Sequence, residues 1–275
     1  MLTLAVAVPT FAQGKSQGHK KSAPPSQSKL PPPGAGTGGA TPLAWIDDAS
    51  LVEPGAVLLA VSMTRWQGTD LSEAYAPVID VAAGLAKHLQ ISASVPRVVS
   101  SADQGGPAGG LGTSFVSGKI GVIDHNGMGG AVKLAVVPTL EILGGSVLQS
   151  SPGERRTRWG LPVSFEVDRG DARLYTSGGY FSGGVWFAGA GTAVRVAPRL
   201  SVSAAVSRSW TTAVPSVTSL EAPNRNEVSA GASFAVTENV GLFTSIGRTV
   251  ATLDENGAGT TVSAGMSFAV APVRR

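Results

Sequence analysis

The chain has 275 residues and no cysteine, which excludes disulfides and thiolate metal centres. Charge is scarce too: 14% of the residues are Asp, Glu, Lys or Arg, against about 25% in an ordinary soluble domain. Something other than bulk water therefore covers much of the surface. No apolar run reaches the ~18 residues of a membrane-spanning helix. The 36 glycines also weigh against long helices. Few charges without a spanning helix leave a barrel as the economical arrangement. Aromatic residues make up only 6% of the chain, so the interfacial belts expected of such a barrel are thin.

The folded part also lacks an excess of positive charge. Four of the 21 basic residues (Lys15, Lys20, Lys21 and Lys29) lie in an N-terminal stretch without acids, leaving 17 basic against 18 acidic residues elsewhere. A nucleic-acid-binding domain concentrates positive charge on its fold, so no nucleic-acid partner is expected.

Residues 1–12 read as a signal peptide: Leu2 to Phe11 is apolar, and Thr10-Phe11-Ala12 is a small-x-small cleavage pattern. No Lys or Arg precedes the apolar run, so the signal is either truncated at Met1 or atypical. Residues 13–44 are rich in Pro, Gly, Ser and Lys and include Pro31-Pro32-Pro33. Such a segment buries too little apolar surface to offset its ordering entropy and is expected to be a disordered periplasmic tail. Gly34-Ala35-Gly36-Thr37-Gly38-Gly39 matches the dinucleotide fingerprint in letters alone, because it follows three prolines instead of a strand.

From Glu53-Pro54-Gly55 onward the periodicity is two. Val228, Ala230, Ala232, Phe234 and Val236 share one face; Ser229, Gly231, Ser233 and Ala235 share the other. Val262 to Val270 and Leu200 to Ser207 repeat the pattern. The polar faces are mainly Ser, Gly and Ala rather than Lys and Glu. That composition suits the confined interior of a barrel whose apolar side meets lipid. The fold class expected for residues 45–275 is all-β: a transmembrane antiparallel up-and-down β-barrel of about 12 strands. The strands are placed near 55–66, 77–86, 89–99, 112–124, 131–142, 158–167, 172–180, 185–196, 200–210, 226–236, 240–251 and 260–271.

Short turns are expected at Lys87-His88, Asp124 to Gly130, Asp168-Arg169-Gly170, Ala197-Pro198-Arg199 and Thr237-Glu238-Asn239. Longer links are expected at 67–76, 100–111, 143–157, 211–225 and 252–259, with a short 181–184 as the exception. Brief periplasmic turns and extended outer loops are the habit of outer-membrane barrels. Trp66, Trp159, Trp186 and Trp210 fall near strand ends, where interfacial aromatics belong.

Several residues resemble one group of such barrels. Asp47-Asp48 to Trp66, Val81-Ala82-Ala83-Gly84-Leu85 and Leu89 to Pro96 resemble its opening hairpin. Val116 to Val122, Val137 to Glu141 and Val262 to Val270 resemble later strands. The group comprises outer-membrane transporters associated with the phenol meta-degradation pathway, and the resemblance spans roughly residues 45–271. It implies a twelve-stranded type of barrel that passes small, often apolar molecules. Barrels often end on an aromatic residue read during assembly; this chain runs on from Phe268 to Arg274-Arg275, so an internal or noncanonical signal is expected.

Catalysis is not expected. A Ser–His site needs the base within hydrogen-bond reach of the nucleophile. His19 is in the tail, and His88 and His125 fall in predicted turns, the latter in His125-Asn126-Gly127. Asp254-Glu255 lacks further ligands for a cation, and Arg169-Gly170-Asp171 reads as a periplasmic hairpin. No cofactor and no metal are expected.

Strand alternation assigns Asp80, Lys119, Lys133, Glu141, Glu166 and Arg173 to the lumen. Two readings of these charges stand side by side: they line a water-filled path, or they pair with one another and fill the barrel. Arg155, Arg156 and Arg158, in or beside the third outer loop, are the candidates for lipopolysaccharide contact, since guanidinium forks suit phosphate; an ordinary solvated loop is the alternative. The expected function is a passive outer-membrane pore or transporter for small solutes, embedded in outer-membrane lipid. A structural or adhesin-like barrel acting through loops and tail, and a barrel hydrolase, are the alternatives.

Overall fold

The computed structural model describes residues 46–68, 72–101, 109–127, 130–144, 156–211, 224–252 and 259–270. The proposed signal, the tail to residue 45, and most of the longer links lie outside these residues, as do Arg155 and Asp254-Glu255.

Alternating sequence becomes strand throughout. The elements are β1 (Val57–Gly68), β2 (Ser72–Ala86), β3 (Leu89–Ser101), β4 (Gly110–Leu111), β5 (Ser114–Gly127), β6 (Gly130–Val136), β7 (Thr139–Ile142), β8 (Thr157–Arg169), β9 (Ala172–Phe181), β10 (Val185–Ala197), β11 (Leu200–Thr211), β12 (Arg225–Ala235), β13 (Val240–Thr252) and β14 (Gly259–Val270). β6 and β7 are two parts of one spanning strand, parted at Val137-Pro138, and both pair with β5 and β8. β4 continues β5 across Gly112-Thr113. Twelve spanning strands result. Each pairs antiparallel with its neighbours, and β1 pairs with β14 to close the sheet into a barrel.

The barrel is inside-out relative to a soluble protein. Val61, Met63, Val95, Ile120, Val163, Phe165, Val206, Ile246 and Met266 are exposed, while Ser62, Thr64, Ser164, Glu166 and Ser177 are buried. The exposed apolar band is what hydrocarbon covers in a membrane barrel. Tilted strands of about 9–11 residues suffice to cross a bilayer, and most of these are 10 to 15 residues long.

Three local expectations change. β2 begins at Ser72, not near Pro77, because Ala76-Pro77 sits in an irregularity between Tyr75↔Val98 and Val78↔Pro96 and does not end the strand. The link expected at 67–76 shrinks accordingly. His125-Asn126-Gly127 is strand, not turn: His125 pairs with Val132 and Gly127 with Gly130, so the reversal is tighter. The left-handed backbone falls on Gly130 (φ 134) instead. Trp66 lies on the inner wall over Gly259 rather than at the lipid interface, because it shares the face of Ser62 and Thr64.

Trp159, Trp186 and Trp210 face outward together at the loop end. Trp159 and Tyr180 meet edge to face at 5.8 Å, Tyr180 and Trp186 lie 5.0 Å apart, and Trp186 pairs across strands with Trp210.

The lipid face generates a depth-dependent prediction. Val61→Arg, mid-strand on β1, is expected to cost about 2–4 kcal/mol, and Val57→Arg at the strand start about 0–1 kcal/mol. Denaturant unfolding in lipid measures both; equal costs would contradict the assigned face.

Candidate functional site

The interior is not lined by strand residues alone. Residues 46–56 run inside the wall before β1 begins, entering at the end where the short turns cluster. Close backbone approach is what lets them in. Gly55 N–H donates to the Gly84 carbonyl at 2.7 Å, and a Cβ at Gly84 would collide with the carbonyls of Val52 and Glu53. Farther along, Ile46 sits on Gly189 and is buried with Tyr175, Ala193 and Ala205.

Charges of both signs pin this strap to the wall. Lys119 Nζ, from β5, lies 2.6 Å from Asp47 Oδ2 and donates to the carbonyls of Asp48 at 3.1 Å and Ser50 at 3.3 Å. Arg173, from β9, places Nη1 at 2.8 Å from Asp48 Oδ2 and Nε at 3.3 Å from Glu166 Oε1. Glu166, from β8, is fully buried; it accepts from the Ala49 N–H at 3.1 Å and from Ser50 Oγ at 2.8 Å. Lys133, from β6, lies 3.2 Å from Glu166 and donates to Ser50 Oγ at 2.7 Å. Gln90 accepts the Val52 N–H at 2.8 Å. Asp47, Asp48 and Glu166 thus face Lys119, Lys133 and Arg173, and the opposed charges balance.

Four of the six lumen candidates (Lys119, Lys133, Glu166 and Arg173) meet in this one network. Glu141 lies elsewhere, near the loop end, 3.9 Å from Arg158. Asp80 stands midway along β2 between Ala60 and Ser94, with its carboxylate oxygens shielded from solvent.

Arg158 therefore turns inward, away from the outer leaflet, since it alternates with exposed Trp159. Arg156 is exposed just before β8. Ser50, Asp47 and Asp48 escaped the sequence reading as site residues because they precede the first strand, where periodicity carries no information. The Asp-Asp pair beside an alternating barrel was the available signal. His88 and His125 are exposed, and among the described residues no serine hydroxyl bonds either ring.

No protein-family model matches the chain, and no curated protein matches it. Solved structures do. The chain is similar to an outer-membrane channel from Pseudomonas putida F1, with TM-score 0.58 and 14% identity over 81% of this chain and 98% of that one. It is also similar to the NanC porin, with TM-score 0.54 and 11% identity, and to the KdgM porin in complex with disordered oligogalacturonate, with TM-score 0.53 and 8% identity. Each of these two covers 76% of this chain and 98% of its own. The fold is that of the outer-membrane porins and channels.

Removing the shared carboxylate tests the network. Glu166→Ala leaves Lys133 and Arg173 facing a buried void and is expected to cost about 3–5 kcal/mol in denaturant unfolding. Because the chain is free of cysteine, Ile46→Cys supplies a single thiol reporter. Its labelling is expected to accelerate at least tenfold when combined with Glu166→Ala.

Proposed function

We propose that the chain is a passive pore of the Gram-negative outer membrane for small solutes, with the segment 46–56 setting its bore. The observation that carries this reading is a closed barrel whose outside is apolar and whose inside holds Ser, Gly and a charge-balanced network. A wall of small polar residues costs little to hydrate, whereas the lipid face would be costly to expose. The likeness to porins and channels supports the same class.

Lys119, Lys133, Glu166 and Arg173 are proposed to act on permeating ions through the strap. Asp47 and Asp48 neutralise Lys119 and Arg173, so the path past them carries little net charge while the strap is seated. Glu141 would meet solute nearer the loop end, whereas Asp80, its carboxylate oxygens shielded, would act on the middle of the path only through its field. The resemblance of residues 45–271 to barrels associated with phenol meta-degradation favours small, apolar solutes. No residue of the site is proposed to carry out catalysis.

The pairing of the strap with the wall also favours a second reading, a filled barrel with a structural role. Reconstitution separates the two. Single-channel recording is expected to give a small conductance in the native chain and a larger one in Asp47→Asn/Asp48→Asn. Lys119→Glu is expected to shift ion preference toward cations. Silence in both the native and the strap-loosened chain, with the barrel correctly folded, would replace the pore with the structural barrel.

A further inference from the structure

Among the described residues, the loop-end part of the lipid face carries charge on one side of the barrel. Arg65, Arg97, Arg208 and Arg248 are exposed and alternate with inward residues, so they point outward from β1, β3, β11 and β13. Each is the ninth residue of its strand, counted from Val57, Leu89, Leu200 and Val240. Those four strand starts face the same way and are all apolar. The asymmetry therefore runs along the strand: apolar at the turn end, guanidinium near the loop end.

Register shows that the four stand at one height. Val57 and Ile91 are both opposite Ala83, so β3 begins two residues lower than β1. Leu59 and Val240 are both opposite Phe268, so β13 begins two residues higher. Leu200 and Leu242 are both opposite Phe234, which raises β11 by two more. Two residues of rise for every two strands of width is a tilt of roughly 35°, the tilt such strands take to the membrane normal. Equal position along tilted strands is then equal depth. Eight steps along a strand climb about 22 Å of the normal, close beneath the upper edge of a band about 25 Å tall, within reach of a snorkelling side chain.

The surroundings suit a lipid headgroup. Among the described residues none of the four arginines pairs with a carboxylate, and Arg65 Nη2 donates only to Gln67, at 3.1 Å. The strands between them present Val262 opposite Arg65 and Val228 opposite Arg248, with Ile246 below Arg248, all exposed. Guanidinium forks bind phosphate in two-point fashion, and the Val and Ile ridges beneath suit acyl chains.

We infer that Arg65, Arg97, Arg208 and Arg248 form a phosphate-binding arc for lipopolysaccharide, seating the phosphates of its lipid A on the β3–β1–β13–β11 side of the barrel. This rests on the outer-membrane reading above, which supplies a phosphorylated glycolipid at the loop end. The opposite sector carries Trp159, Tyr180 and Trp186 at its rim, and Tyr180 is itself the ninth residue of β9.

The test uses the full chain in detergent micelles, with diphosphoryl lipid A as the probe. Enzymatically dephosphorylated lipid A, phosphatidylglycerol and inorganic phosphate are the comparison arms. The native chain is expected to bind diphosphoryl lipid A at least tenfold more tightly than the dephosphorylated form. The Arg65→Gln/Arg97→Gln/Arg208→Gln/Arg248→Gln variant is expected to lose that preference while keeping heat-modifiable mobility and conductance. Should the fourfold variant misassemble, the pair Arg208→Gln/Arg248→Gln is expected to lose at least half of the preference on a logarithmic scale. An unchanged preference in the variants, equal binding of both lipid A forms, equal binding of phosphatidylglycerol, or full competition by inorganic phosphate would overturn the arc. A chain that stays soluble and monomeric without detergent would instead overturn the membrane reading, a result distinguishable from all of these.

Discussion

A backbone in hydrocarbon has no water to satisfy its N–H and C=O groups, and a sheet meets that demand only by closing on itself. The pairing of β1 with β14 is therefore the contact on which the remaining structure depends. Once the ends join, every spanning strand has two partners, and the two faces become an outside and an enclosed inside. The pleat then assigns Val, Ile and Phe outward and Ser, Gly and the paired charges inward. Small inward residues do more than tolerate water: Gly84 and Gly189 leave room for another piece of the same chain.

That piece changes what the interior is. Without residues 46–56, Lys119, Lys133 and Arg173 would face Glu166 alone, leaving excess positive charge in a confined space. Asp47 and Asp48 bring the balance, and the Ser50 hydroxyl links Lys133 to Glu166 through hydrogen bonds at 2.7 and 2.8 Å. Such a network is costly to half-satisfy, because each ion left alone retains its desolvation penalty. Strap and wall are thus coupled: displacing one strains the other. The two readings of the lumen charges, a lined path and a filled interior, meet in the same residues.

The outside is no more uniform than the inside. An aromatic sector on β8 to β10 and a guanidinium sector from β11 round to β3 share the loop-end rim. Both suit an interface, but they solve different problems. Indole rings settle at a boundary between apolar and wet surroundings, whereas guanidinium groups ask for anions. Apolar residues at the other end of the same four strands leave that end without a matching row.

Period two made the strands legible: their number, most of their bounds and the short turns at Lys87-His88 and Pro198-Arg199 follow from neighbours along the chain. Where local signals misled, a longer-range pairing overruled them. Pro77 does not stop β2, because its neighbours keep their partners on β3, and Asn126-Gly127 stays extended because β6 pairs with it. The strap was illegible, since a segment without periodicity says nothing about where it lies. Alternation alone determined which side of each strand is apolar. Only the closed structure decided that Asp48 meets Arg173 and that four arginines stand at one depth. Both depend on register and tilt, which join residues far apart in sequence and leave no local trace.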